Sequence, residues 1–349
     1  WANKDDPRYQ ELPQWQKDMF WILPTDKWQN ADPLDAEARP EHLRRQVGDQ
    51  WQVNNGTIFR IRKPFEMGMV FGTLPERVLE AYVRENPDAF KHLDKTMADA
   101  LAPNFTPTIA QPIVEQFANR SSFTDRTLIP GYLEKQLPEY QFTPYTTELS
   151  KAVGQMIAAF PGMREKGATP GELGGGAARA LTSPILIENY VRSWTGGMGM
   201  YALNAVDAGL RKSGVLPDPV KPTDTLADIP VVKAFVARYP SANAQVIQDF
   251  YDEHSRNKRF YDTWKAKADE GDQQAALRIA EIGGIQMFFR ADAFQRALGQ
   301  HSKLIRDIYK SPDETPEQKR QMIDGLYFAM QRIAKNGVDM MKAGKALQP

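Results

Sequence analysis

No cysteine occurs among the 349 residues. That absence removes disulfides, thiolate metal sites and cysteine nucleophiles together, and it suits a chain that must survive reducing and oxidising compartments alike. An excess of either charge is lacking too: Lys plus Arg and Asp plus Glu both number 44. Bulk electrostatics therefore gives no preference for nucleic acid or anionic lipid and argues against a dedicated DNA clamp, although a local basic face remains open. No run reaches the roughly eighteen uncharged apolar residues of a membrane span. The best window, Ile185 to Ala205, is broken by Glu188 and Arg192.

Motifs that carry chemistry are also missing. The four histidines, His42, His92, His254 and His301, are far apart and form no HExxH pair. A metal site would need scattered ligands, and solvated helix positions explain each histidine better. Gly174-Gly175-Gly176 and Gly196-Gly197-Met198-Gly199 are followed by no Gly-Lys-Ser/Thr, so neither reads as a phosphate loop. No Gly-x-Ser-x-Gly elbow anchors a hydrolase triad. Glu66, Glu76 and Glu80 could be drawn as general acids, but nothing pairs them, and Glu76 sits at the capping-box position after Thr73. The expectation is no catalytic, cofactor-binding or metal-ligating residue. The chain opens on Trp1, without the charged-then-apolar build of a signal peptide, which is expected of a chain beginning inside a longer translation product, with a processed N-terminus as the alternative.

What is present reads as an ordinary globular composition, 42% hydrophobic and 25% charged. Trp1, Trp15, Trp21, Trp28 and Trp51 crowd the first fifty-one residues with Tyr9 and Phe20, followed closely by Phe59, Phe65 and Phe71. Rings at that density are buried or docked on a partner, and a local core is the simpler reading. Trp51 to Arg62 reads as a β-hairpin turning at Asn55-Gly56, with Phe20–Leu23 as a third strand stopped by Pro24. It is the single sheet the pattern shows.

Helical periodicity follows. Thr73-Leu-Pro-Glu76 has capping-box spacing and opens a helix carrying Val78, Leu79, Tyr82 and Val83; Pro87 opens another with Phe90, Leu93, Met97 and Leu101. Residues 103–148 hold Pro103, Pro107, Pro112, Pro130, Pro138 and Pro144, too many for long helices apart from a short one around Ile113–Asn119. Yet the segment keeps Phe105, Phe117, Tyr132, Tyr140, Phe142 and Tyr145, and a free linker would be polar. We read it as an extended arm laid on another element or subunit, with Phe105, Tyr132, Tyr140, Phe142 and Tyr145 as its interaction residues. Helices are expected at Leu149–Phe160, from Pro184, from an N-cap at Ser241, over Gln273–Tyr309, and after a Thr315-Pro-Glu-Gln318 cap; the last presents Met322, Leu326, Met330 and Ile333 on one face. His254 to Trp264 interleaves Arg256, Lys258 and Arg259 with Phe260, Tyr261 and Trp264. That pattern serves a single-stranded nucleic-acid surface, but it equally describes an amphipathic helix with its rings in a core, which the spacing favours.

The fold class is thus mainly α: a multi-helix assembly with a small aromatic-rich hairpin near the N-terminus and a Pro-rich extended arm. The expected divisions are 1–102 (hairpin plus helices), 103–148 (arm), 149–212 (Gly/Ala-rich helices), 213–230 (linker) and 231–349 (C-terminal helices).

Three stretches resemble the large polyvalent protein-associated domains found near the C-terminal ends of giant phage and conjugative-element proteins: Arg8 to Trp21, Thr57 to Arg77, and a looser match at Ile308 to Pro312 with Lys319 to Asn336. They occur in the family's order. Arg62 stands where the pattern usually has Pro, which leaves the strand running to Pro64 intact. The resemblance implies a very long polypeptide that enters the recipient cell with the DNA, and it assigns no catalytic residues to this domain. It implies a non-catalytic assembly module of a virion-internal ejection protein, inside the capsid and then in the host envelope or cytoplasm. Its partners would be portal, core or sibling ejection proteins in a homo- or hetero-oligomer, with phage DNA as a further contact. The alternatives are a fragment of a delivered enzyme, muralytic or part of a virion RNA polymerase polyprotein, and a nucleic-acid-binding module.

Overall fold

The computed structural model describes residues 3, 5–64, 68–84, 90, 110–121, 127–160, 181–229, 231–281 and 284–346. Glu66, His92, the Phe90–Leu101 helix, Phe105 and the Gly174–Gly176 run lie wholly or mainly outside them, and nothing is described of the Tyr132 side chain. The chain is mainly α-helical, as expected, and divides into two compact units. The first comprises residues 1–102, 221–308 and 313–349; the second comprises 103–220 and 309–312. The N-terminal and C-terminal regions thus share one unit, and the Pro-rich segment shares the other with the Gly/Ala-rich helices.

In the first unit, short helices Pro7–Glu11 and Gln14–Met19 lead into two three-stranded antiparallel sheets. One has the order β1-β5-β6, with β1 at Phe20–Pro24, β5 at Ile58–Arg62 and β6 at Val236–Ala237. The other has the order β2-β4-β3, with β2 at Trp28–Ala31, β3 at Arg44–Val47 and β4 at Gln50–Asn54. Two sheets therefore replace the single one expected. The aromatic-rich hairpin exists, but its turn is Gly48-Asp49 between β3 and β4, where Val47 faces Gln50 and Gly48 takes φ +61. Glycine at the first of two turn positions is what a type II′ hairpin needs. Asn55-Gly56 instead carries the chain from one sheet to the other. Gly56 has no positive φ; it is required because a Cβ would lie 1.7 Å from the Thr25 carbonyl oxygen.

Leu12, Ile22, Ile58 and Ala237 form the core against which Tyr9, Phe20 and Tyr239 pack. Helix Gln245–Asp269 buries Ile247, Phe250 and His254, and it packs on helix Pro316–Ala346. Its N-cap is Ala244; Ser241 lies a turn upstream, its Oγ accepting from the Asn243 N–H. Thr315 does cap the last helix: its Oγ1 accepts from the Gln318 N–H at 3.2 Å, and Gln318 Oε1 accepts from the Thr315 N–H at 3.0 Å. The buried stripe of that helix is Ile323, Tyr327, Met330, Ala334, Val338 and Met341, recurring every three or four residues. Met322 is 43% exposed, so the stripe is turned from the face expected.

In the second unit, helix Glu148–Ala158, capped by Thr147, packs on helix Pro184–Lys212, which kinks at Gly196 (φ 63, ψ −149). The described part of the Pro-rich segment is not uniformly extended. It holds helices Gln111–Ala118 and Gly131–Glu134 and a 3-10 turn at Pro138–Tyr140, because proline is tolerated in a first turn. It lies on another element of its own unit, with Ile129 and Leu133 buried against Leu186.

Candidate docking face and the ion-pair cluster behind it

Phe20-Trp21-Ile22-Leu23 is apolar at every position, the pattern of a strand covered on both faces. Alternation sends Ile22 inward, 6% exposed, and leaves Trp21 (45%) and Leu23 (46%) outside. On β5, Ile58 is buried while Phe59 and Ile61 are exposed. The register sets Trp21 opposite Ile61 and Leu23 opposite Phe59, so four large apolar side chains form one continuous outer face. Trp21 also lines a groove of about 500 Å³ with Pro64, Phe71, Pro75 and Leu79, and Phe71 is 71% exposed. The early aromatics are therefore only partly a local core; these three rings stand in solvent.

Behind the groove lies a buried charge cluster. The chain passes from a π-helical turn, Met69–Thr73, into helix Leu74–Arg84, so Thr73 is inside the helical run and cannot cap it. Thr73 Oγ1 donates to the Asp18 carbonyl at 2.6 Å. Lys63 Nζ donates to Thr73 Oγ1, to the Lys17 carbonyl and, at 2.7 Å, to Glu76 Oε2. Glu76 thus serves as the partner of a buried lysine and has no capping role. Arg77 grips Asp18 through Nε and Nη2 and reaches Glu80 through Nη1. Burial pushes the Asp18 carboxyl up, with Arg77 and Lys63 opposing. Burial pulls the Lys17 ammonium down to about 8, and its Nζ donates to the Gln10 carbonyl. Three cations and three carboxylates balance here, so the cluster fixes the helix that walls the groove and presents no net charge.

A second tie joins distant segments. Tyr239 donates to Glu11 Oε2 at 2.5 Å, and His42 Nε2 lies 3.1 Å from the same hydroxyl. Burial raises the Glu11 carboxyl and the Tyr239 hydroxyl and lowers the His42 imidazole, all favouring neutral forms. His254 is buried with Nε2 at 2.8 Å from Asp292, and His301 Nδ1 lies 2.8 Å from the Ala297 carbonyl. The described histidines are thus satisfied packing groups, where solvated positions were expected. Among the described residues no His/Cys/Asp/Glu group could hold a metal, and no helix is long and apolar enough to cross a membrane.

Of the residues singled out from sequence, Arg256, Lys258 and Arg259 are exposed on helix Gln245–Asp269, with Arg256 paired to Glu253 at 3.0 Å. Phe260 is 45% exposed and tilts on Trp264 at 5.9 Å, so that ring is not in a core. Tyr140 and Tyr145 are exposed, Tyr145 edge-on to Tyr309, and Phe142 lies under Lys151. Sequence reasoning missed the Asp18–Arg77 and Glu11–Tyr239 pairs, whose partners are 59 and 228 positions apart and leave no local signal. The outer sheet face had half of one: β1 is apolar on both sides, whereas β5 alternates Phe59 and Ile61 with Arg60 and Arg62.

The family model of large polyvalent protein associated domain 38 matches residues 6–232, more than half of the chain. With both sheets and the groove falling almost wholly inside that span, the chain belongs to this family, a class associated with phages and mobile elements. β6, which completes the first sheet, lies just beyond the match. No curated protein and no solved structure matches the chain.

Proposed function

We propose that the chain is a non-catalytic assembly module of a giant virion-internal protein, ejected into the host with the DNA. Its outer sheet face and groove dock on another protein of the particle: portal, core or a sibling ejection protein. One observation carries this reading: Trp21, Leu23, Phe59 and Ile61 stand together in solvent on a single sheet face. Each such side chain is already about half covered, so burying the rest on a partner gains about 1 kcal/mol, and the set suits the apolar centre of a protein interface. The fixed cluster behind helix Leu74–Arg84 keeps the groove wall in place before a partner arrives, which lowers the ordering cost of binding.

The test is the double substitution Phe59→Glu with Ile61→Glu. Both side chains are exposed, so the melting temperature should hold while incorporation of the protein into particles drops by an order of magnitude or more. Normal incorporation of a folded double variant contradicts the docking role of this face.

A further inference from the structure

The second sheet carries a different surface. Helix Pro33–Ala38 packs on β3 and β4, and Val53 on one side of the sheet is buried, 2% exposed. Strand alternation and the register put Trp28 and Asn30 of β2, Gln52 of β4 and Arg45 of β3 together on the opposite side, Asn30 facing Gln52 and Gln52 facing Arg45. A side-chain ladder runs across all three strands: Arg45 Nε donates to Gln52 Oε1 at 3.0 Å, and Gln52 Nε2 donates to Asn30 Oδ1 at 3.1 Å. The Arg45 guanidinium carbon lies 4.2 Å from the centre of the Trp28 ring, a stacking distance. The cation is thereby held over the Trp28 ring, while both terminal amino groups of Arg45 and the amide nitrogen of Asn30 keep no protein partner among the described residues.

We propose that this face binds single-stranded nucleic acid. A base stacks on the outer side of the Trp28-backed guanidinium, the free guanidinium N–H groups take the adjoining phosphate, and Asn30 Nδ2 donates to the base edge. The charge argument is specific to this face. No strand position on it is acidic; at its margins Asp26 is engaged by Arg8 and Asn54, Asp32 follows β2 at the start of helix Pro33–Ala38, and Asp49 sits in the hairpin turn. A neutral glycan would be expected to use the bare ring, but here the ring is covered and the cation is what faces outward. Fixed guanidinium forks match phosphate, and stacking on arginine or aromatic platforms tolerates any base. The site lies apart from the exposed basic stretch at Arg256–Arg259 and uses different elements.

The experiment titrates the full 349-residue chain against fluorescently labelled oligodeoxythymidine over a series of salt concentrations. Affinity should fall linearly on a log–log plot against salt. Arg45→Ala should weaken binding about tenfold and flatten the slope by about 0.7, the share of one phosphate contact on a single strand. Arg45→Lys should keep the slope and lose affinity, because the charge stays and the stacking plane goes. Asn30→Asp should weaken binding by removing the donor to the base edge and setting a carboxylate against its acceptors. Arg45 and Asn30 are exposed, so these variants should melt with the parent. The proposal is overturned by absent or salt-insensitive binding, by an Arg45→Ala variant that binds normally, or by loss that requires Arg256, Lys258 and Arg259 instead. Binding of a peptidoglycan oligosaccharide that depends on Arg45 and Trp28, with none of the oligonucleotide, would equally overturn it.

Discussion

A Cβ on Gly56 would lie 1.7 Å from the Thr25 carbonyl oxygen, whereas one on Gly48 meets nothing within 4 Å. Two glycines in one sheet region are therefore required for different reasons. Gly48→Ala carries only the cost of positive φ, about 1–2 kcal/mol. Gly56→Ala forces the Thr25 backbone to shift and should destabilise by about 2–3 kcal/mol. Thermal melting of the two variants side by side checks this; equal losses would mean the backbones at Thr25 and Gly56 part easily. The Asn55-Gly56 dipeptide was legible as a special position, but its role was not, because the contact that defines it comes from thirty residues away. Asp324 offers a second test. Burial pushes its carboxyl up to about 6, against the pull of Arg320, Arg238 and Arg39. Between pH about 4 and 6 the folded chain then holds a proton that the unfolded chain has released, so this group's contribution to stability falls as pH rises. Asp324→Asn should raise the melting temperature at pH 7 and leave it little changed at pH 4. A variant less stable at pH 7 would show that the arginines outweigh burial there.

At the scale of elements, several features whose partners are close in sequence were legible, although the hairpin turn at Gly48-Asp49 and the cap at Ala244 were not. The Thr315–Gln318 capping box, the helix expected at Leu149–Phe160 and found at Glu148–Ala158, and the β1 strand ending at Pro24 each rest on residues within a turn or a strand of one another. The Thr73–Glu76 spacing misled because the same side chains serve a long-range cluster: the helix had already begun, and Lys63 claims both groups. That cluster has a measurable cost if broken. Arg77→Met leaves Asp18, 1% exposed, with its main cation gone. Loss of one partner from a buried pair costs about 3–5 kcal/mol. The double variant Asp18→Leu with Arg77→Met should recover much of that loss, since neither charge is then stranded. Additive losses in the two single variants and the double would mean the pair is not coupled.

For the whole molecule, the helical character and the break at the Pro-rich segment follow from periodicity and proline, both of which act locally. The arrangement into two units does not, because residues 1–102 share their unit with 221–308 and 313–349, across the intervening 103–220, and so long a separation leaves no local signal. The docking face was half legible: the apolar strands could be seen, but which side the core would leave uncovered could not. The chain belongs to the large polyvalent protein associated domain 38 family, and the proposal built on the face is that it assembles inside the particle. Photo-crosslinking from a benzophenone residue placed at Phe59 or Ile61, followed by mass spectrometry of purified particles, tests that most directly. The account predicts that peptides of this chain are present in the particle, within a much longer polypeptide, and crosslink to portal, core or a sibling internal protein. Particles that lack the chain, or that carry it with no crosslink from either position, would contradict it.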